Sequence, residues 1–428
     1  MEQIRIGVLG AYRGTSMINY CEQSSRARVV AICDKNPEAL QRQKDQLNDP
    51  SVAWYDNFDS FIEHPMDAVV LANYANEHAP FAIRCLEKGL HVFSEVLPCQ
   101  TMQEAVNLVE AVERSGKVYA YGENYCYMAG PREMRRLYQA GEIGEFEYGE
   151  GEYIHNCAPI WPSITYGERD HWRNNMYATF YCTHSAGPIF HITGLRPVSV
   201  VGFEGGKNQR RLEGGCKAGQ FGMEIITLNN GGIIKSIHGD LYKNSIWYTV
   251  YGSKGRMETA REDAKMGDSG RIYVNSDAYT GEYGPERLST YLPASDERSA
   301  AFGHGGSDYL CMDEFVKRIQ GDETADTIDV YQALDMFLPG MFAYRSVLQG
   351  GVSVAVPNLR DKAQRDAFRN DTACTDPHVA GDQLLPVFSK GTPEIPESVY
   401  DHVKELWEKE KNGGDYVKAA MTQGSSKK

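Results

Sequence analysis

The chain has no CxxC pair and no regular interval among its ten cysteines, at 21, 33, 85, 99, 126, 157, 182, 216, 311 and 374. Neither a zinc ribbon nor a disulfide framework is indicated, and reduced thiols in a cytoplasmic protein are the expectation. Long apolar runs are also missing. The longest, such as Ala68 to Ala72, are about a quarter of a membrane span, and the opening Met1-Glu-Gln-Ile-Arg-Ile-Gly lacks the apolar stretch of a signal peptide. Positive charge is in short supply: 44 Lys and Arg face 58 Asp and Glu, a net charge of -14. That field argues against a nucleic-acid partner or an anionic membrane surface. No internal repeat is visible, and no low-complexity segment beyond the terminal Gly-Ser-Ser-Lys-Lys. What is present is an ordinary globular composition, 42% apolar and 24% charged over 428 residues, enough for two or three domains each with its own core. The 26 tyrosines outnumber the 15 phenylalanines, a surplus of hydroxyls that need partners when buried.

Up to about residue 125, short apolar runs (4–9, 29–33, 68–72, 91–93, 118–121) alternate with segments of helical period (17–23, 37–47, 79–88, 102–115). Each parallel crossover needs a helix, so this pattern predicts a doubly wound parallel sheet, an α/β Rossmann domain over 1–125. Beyond about 145 the pattern becomes strand and turn. Residues 221–228 and 233–238 flank Asn229-Asn-Gly-Gly232, whose Asn-Gly supplies the positive φ of a tight hairpin. Two further strands, 247–251 and 256–259, surround Gly252-Ser-Lys-Gly255. An α+β domain with a mainly antiparallel sheet is expected over 126–360, with helices at 308–319 and 330–347. A C-terminal extension over 361–428 should pack on the body through an amphipathic helix near 398–409 and end in a frayed tail.

After the first strand comes Gly7-Val-Leu-Gly10-Ala-Tyr12-Arg13-Gly14, opening a helix. Such a turn presents helix amides to a pyrophosphate, and glycine lets the backbone approach it. The spacing is irregular, since Tyr12 occupies the middle glycine position and Gly14 comes one place early. Asp34, 24 residues after Gly10, ends the second strand, where an acid binds the ribose hydroxyls of NAD and repels the extra phosphate of NADP. NAD is the expected cofactor. A tight turn and a plain helix N-cap are the structural alternatives for these residues.

Asn73-Tyr-Ala-Asn76-Glu-His78, followed by His91-Val-Phe-Ser-Glu95-Val96-Leu97-Pro98, resembles the glucose-fructose oxidoreductase / inositol dehydrogenase / MocA family. The resemblance implies a Rossmann domain and a C-terminal sheet that together enclose a sugar or polyol, and a homo-oligomer formed through the open face of that sheet. Most members carry Glu-Lys-Pro here, the lysine acting on the substrate hydroxyl. In this chain Val96 and Leu97 stand between Glu95 and Pro98. Three further segments, 122–127, 151–155 and Tyr181-Cys-Thr183-His184-Ser-Ala-Gly187-Pro188, with His171-Trp172-Arg173 and Gly303-His304-Gly305-Gly306, resemble the NAD-dependent glycosidase branch, the α-N-acetylgalactosaminidase-like family 109.

The chemistry implied by that branch is transient oxidation at C3, loss of the C2 proton, elimination of the C1 substituent, addition of water and re-reduction. It needs a base near operating pH and groups that polarise the C3 oxygen, tasks that suit histidine and tyrosine. The resemblance assigns His184, Tyr181 and Tyr127 to catalysis, and Tyr153, Thr183, Trp172, Arg173 and His304 to substrate binding. Gly10, Tyr12, Arg13, Gly14, Asp34, Asn73, Asn76, His78, Glu95 and Asn124 are assigned to the cofactor. His155 and His191 read more simply as strand and core residues, and the Lys207-Asn-Gln-Arg210-Arg211 cluster as a solvated loop. Histidines 171, 184 and 191 with Glu168 and Asp170 match no zinc-enzyme spacing, so no metal is expected. Two alternatives stay open: a conventional sugar or polyol dehydrogenase with His184 in place of the lysine, and a non-catalytic nucleotide-binding sensor.

Overall fold

The computed structural model describes residues 2–262, 270–276, 280–281, 284–285, 288–291, 299 and 302–412; the tail expected to fray lies outside them. The first sheet is built from β1 (Ile4–Leu9), β2 (Ala27–Cys33), β3 (Ala53–Tyr55), β4 (Ala68–Leu71), β5 (His91–Ser94) and β6 (Tyr119–Tyr121). Their order is β3-β2-β1-β4-β5-β6, with every neighbouring pair parallel. The crossovers carry α1 (Thr15–Gln23), α2 (Pro37–Leu47), the short α3 (Phe58–Phe61), α4 (His78–Glu87) and α5 (Met102–Ser115). All four residues of β4 are fully buried, as expected of a parallel strand covered on both faces. β3 was not legible in the sequence because three residues carry no period. Local signals set the helix ends. Asn36 accepts from the amides of Glu38 and Ala39 ahead of Pro37, and Thr101 and Glu104 close a reciprocal capping box on α5, which contributes about 1 kcal/mol.

The sequential order of the strands reverses between β1 and β4, and a crevice opens there beyond the carboxyl ends of the strands. After α6 (Ala129–Gln139) the second sheet starts with β7 (Phe146–Ile154). The short helices α7 (Trp161–Thr165) and α8 (Trp172–Asn175) lead to α9 (Thr183–Thr193), then β8 (Pro197–Glu204) and α10 (Gln209–Glu213). β9 (Phe221–Leu228) and β10 (Ile233–Gly239) form the expected hairpin, with Gly231 at φ +87° in its turn. β11 (Ser245–Gly252), β12 (Gly255–Thr259) and β13 (Arg271–Ser276) follow, then a two-stranded ribbon of β14 (Thr280–Gly281) and β15 (Gly284–Pro285), and β16 (Leu288–Tyr291). With β17 (Val354–Ala355) the order is β16-β13-β12-β11-β7-β10-β9-β8-β17. Only β7 and β10 run parallel; the sheet is otherwise antiparallel.

α11 (Ser307–Ile319) and α12 (Val330–Leu348) follow the ribbon, then α13 (Lys362–Asp366), α14 (Pro377–Ala380) and α15 (Glu397–Asn412). Two glycines let helices lie directly on the sheet. A Cβ at Gly151 of β7 would sit 1.8 Å from Ser185 O of α9, and one at Gly202 of β8 would sit 2.1 Å from Ala343 O of α12. α9 is therefore pressed onto the strand that carries Tyr153, which fixes where its first turn and His184 point. α15 packs beside α7, with Trp407 against Tyr166 and Lys411 paired with Glu38 of α2. Among the described residues no helix is long and apolar enough to cross a membrane.

Candidate active site

One cavity of about 1370 Å³ runs from the crevice beside β1 to the inner face of the second sheet. That exceeds the usual volume of a single small-ligand pocket, roughly 300–1,000 Å³, and suits two ligands end to end. Gly10, Tyr12, Arg13, Asp34, Asn73, Glu95 and Asn124 line one end. Gly10 has φ +99°, and a Cβ there would lie 2.3 Å from Ala72 O, so only glycine fits this turn. Asp34 accepts from the amides of Ala11, at 2.7 Å, and Asn36, at 2.8 Å, which fixes its carboxyl at the end of β2. Asn73 Oδ1 and Asn124 Oδ1 are buried without a hydrogen-bond partner among the described residues. A close-approach glycine, a positioned acid and two unanswered amide oxygens fit a dinucleotide.

Three residues assigned to the cofactor are placed differently. Gly14 does not border the cavity; a Cβ there would meet Gly10 O at 2.4 Å and Val8 Cγ1 at 2.5 Å, so its role is packing α1 onto β1. His78 is 1% exposed and bonds Leu97 O through Nδ1 at 2.8 Å, tying α4 to the segment after β5. Burial pushes its pKa down to about 4. Asn76 also lies off the cavity, and its carbonyl accepts from Gln100. Arg13 reaches the cavity but is held by two acids, Asp308 through Nη1 at 2.9 Å and Glu95 through Nη2 at 2.6 Å.

Asp308, near the start of α11, was missed as a site residue. It also takes bonds from Asn124 Nδ2 at 2.9 Å and His304 Nδ1 at 3.1 Å. Burial opposes its charge, but Arg13 and His304 hold the carboxyl well below the ordinary range. For Glu95 the balance reverses, and burial outweighs Arg13 to raise its pKa. The spacing of His304 and Asp308, four apart across a helix start, was the signal for this pair.

At the other end lies His184. Its Nδ1 is 2.6 Å from Glu123 Oε1, and Glu123, fully buried, also accepts from Thr183 Oγ1 at 2.7 Å and the Tyr125 amide at 3.3 Å. A carboxylate at Nδ1 fixes the tautomer that leaves Nε2 as the basic nitrogen. Glu123 lies within the 122–127 motif segment, where nothing local in the sequence gives it a role. Tyr248 donates to the His184 carbonyl at 2.6 Å, anchoring the helix turn. Three tyrosine rings surround the imidazole, with centroids at 4.4 Å (Tyr125), 4.7 Å (Tyr153) and 5.1 Å (Tyr181). Thr183, expected at the sugar, instead orients Glu123.

Tyr127 is corrected as well. Its hydroxyl donates to Asp326 O at 2.6 Å, its ring packs on His191, and neither borders the cavity; the 3-10 turn at 124–127 sends Tyr125 inward and Tyr127 away. Trp172 stacks on Tyr181 at 6.3 Å and 20°, with the Arg173 guanidinium 4.3 Å from the Trp172 ring. These residues, with Tyr153, His155 and His304, complete the wall. His155, read as a strand residue, borders the cavity, and burial beside Arg173 pushes its pKa down to about 4. His171 is buried, accepts the Arg173 amide and is pushed down to about 2. Arg210, read as a loop residue, pairs with Asp240, while Arg211 is buried.

Comparison with known proteins gives separate matches in the two parts of the chain. The family profile for the oxidoreductase family with NAD-binding Rossmann fold (Gfo/Idh/MocA) matches residues 4–123, and that for the glycosyl hydrolase 109 C-terminal domain matches residues 200–364. A glycosyl hydrolase family 109 protein from Shewanella pealeana is 24% identical over 402 residues, covering 84% of this chain and 86% of its own. Another, from Bacteroides fragilis, is 29% identical over 204 residues, 46% of this chain and 44% of its own. Among solved structures, the WlbA dehydrogenase of Bordetella pertussis in complex with NADH and UDP-GlcNAcA superposes with a TM-score of 0.64 at 19% identity, over 83% of this chain and 98% of that one. An Agrobacterium radiobacter oxidoreductase in complex with NAD+, L-tartaric acid and magnesium gives 0.67 at 14%, over 83% and 99%.

Proposed function

From a chain that belongs to the NAD-binding Gfo/Idh/MocA oxidoreductase family, with a glycosyl hydrolase 109-type C-terminal domain, we propose a glycosidase that oxidises its sugar transiently and returns the hydride within one turnover. The observation that carries this reading is His184 on the cavity wall, held through Nδ1 by the buried Glu123, with Val96, not a lysine, bordering the cavity after Glu95. NAD, when bound, supplies a hydride acceptor and donor. The chain's own residues do the rest. His184 Nε2 takes a proton from the sugar, and Glu123 holds the ring in place and stabilises the imidazolium. Tyr153 and Tyr181 offer hydroxyls to the sugar's oxygens, since burial keeps both phenols protonated. Trp172 and Tyr181 give a flat wall against which a sugar ring packs. Gly10 and Asp34 hold the dinucleotide, and Asn73 and Asn124 present amide oxygens beside it. The names of the relatives and the sugar-type ligand of the WlbA structure support the substrate class.

The test is to incubate the protein with a panel of aryl glycosides, with and without added NAD, following aglycone release and NADH absorbance together. Aglycone without net NADH is expected. Stoichiometric NADH with intact glycoside would overturn the glycosidase reading in favour of a conventional sugar dehydrogenase, in which His184 takes the lysine's part. Exchange of deuterium into C2 of recovered sugar in heavy water checks the elimination.

A further inference from the structure

A second histidine and glutamate stand on the inner face of the larger sheet and take no part in the chemistry above. His238 of β10 is 2% exposed and Glu224 of β9 is 0% exposed. Among the described residues, neither nitrogen of that imidazole and neither oxygen of that carboxylate has a hydrogen-bond partner. They face each other, with His238 Nδ1 3.6 Å from Glu224 Oε2. Polar groups buried to this degree are normally satisfied. Closing that gap by a few tenths of an ångström would satisfy one nitrogen and one oxygen. Nε2 would still be left over.

The fold decides where that nitrogen points. Side chains two apart on a strand share a face, and Ser236, two before His238, bonds Ser185 of α9 through its hydroxyl at 2.8 Å. His238 therefore faces the side on which α9 and His184 lie. It is the register partner of Tyr153, whose ring is 4.7 Å from that of His184, and it lines the cavity with Gly239 and Asp240. Gly222, its partner on β9, lets residues 178 and 179 close over the sheet, since a Cβ there would be 2.6 Å from Ala178 O. The imidazole sits at the floor of the cavity, one strand from Tyr153.

We infer that His238, seated against Glu224, is a sugar-binding residue at the floor of the cavity, taking one hydroxyl of the substrate through Nε2. A hydroxyl both donates and accepts, so it can meet an imidazole in either tautomer. A metal is a poorer occupant, because no group of three or more His, Cys, Asp or Glu side chains able to hold one is found among the described residues. The inference rests on the sugar reading of the site, and it names a contact separate from the acid-base work of His184.

The experiment is a cycle between variant and ligand, read by titration calorimetry on the NAD-loaded protein, so that turnover is not the readout. The probes are the methyl glycosides of galactose, glucose and N-acetylgalactosamine, and the monodeoxy analogues of whichever binds. His238→Ala should weaken the parent sugar about 10- to 100-fold, and one monodeoxy analogue should bind the variant and the unaltered protein alike. His238→Gln, which keeps a donor and an acceptor, should recover part of the loss. A structural defect would instead weaken every analogue by the same factor, and that result would overturn the inference, as would an unchanged affinity in His238→Ala. Failure of any probe to bind the unaltered protein would overturn it too. The glycosidase reading fails by a different result: sugar bound but no aglycone released.

Discussion

Two acid clusters border the same cavity and are neutralised in different ways. Glu95 and Asp308 share Arg13, whereas Glu123 holds His184 and Thr183. Arginine does not release its proton in a protein, so the Arg13 tie keeps its positive charge. It joins the turn between β1 and α1, the segment after β5, and α11. An imidazole can both take up and give a proton, and in the proposed reaction His184 is the group that does so. The same residue type, a buried carboxylate, thus ties separate segments together on one wall and, in the proposed reaction, holds a proton-transferring histidine on the other.

The comparison breaks most visibly at His184. His184→Ala should lower kcat about 10³- to 10⁴-fold, the scale of a lost general acid-base group, with the circular dichroism spectrum unchanged; a protein that unfolds but keeps its specific activity would place this pair with the structural one. Next is Glu123→Gln, expected to cost about 10²- to 10³-fold in kcat because an amide cannot both fix the tautomer and stabilise the imidazolium, while KM stays within a few-fold.

Arg13→Met should act on stability, leaving Glu95 and Asp308 to repel each other. Removing one partner of a buried pair costs several kcal/mol, but Arg13 keeps 30% of its side chain exposed, so a loss of about 2 kcal/mol is expected in urea unfolding. An unchanged midpoint would show that the tie is not needed.

The last effect is read against pH and concerns two histidines of the cavity wall. His155 and His171 have folded-state pKa values pushed below the ordinary 6.5, to about 4 and about 2. The unfolded chain therefore binds more protons as pH falls below 6.5, and stability declines with acidification, by about 1.4 kcal/mol per pH unit for each histidine. For His155 the decline ends near pH 4. His155→Gln should flatten the slope between pH 6.5 and 4 by one proton's worth in unfolding measured at several pH values; an unaltered slope would show that His155 charges in the folded protein.

Much of this architecture is legible in the sequence where a period is long enough to read. α2 and α5 fall on the residues their apolar spacing indicates, and the hairpin of β9 and β10 follows from its Asn-Gly turn. β3 is not legible, because three residues cannot display an alternation. The site was partly legible. His184, Tyr181, Tyr153, Trp172, Arg173 and His304, which the motifs single out, all border one cavity; their roles there are those proposed above. Glu123 and His238 were not legible because a carboxylate or imidazole becomes informative through its partner, and these partners lie 61 and 14 positions away; Asp308 has one partner 295 positions away and another, His304, only four.

By itself the sequence determined the parallel sheet with its glycine turn and acid, the hairpin sheet, and the substitution of valine and leucine where the family carries its lysine. Those are properties of neighbours along the chain, set by backbone conformation and side-chain period. Only the tertiary structure decided which of several acids meets an arginine and which meets a histidine, that Tyr125 and not Tyr127 faces the cavity, and that α9 lies close enough to β7 for Gly151 to be required. Such choices depend on distances of 3 to 4 Å between residues far apart in sequence, and the energies that make them, desolvation and charge pairing, exist only once the chain has closed around them.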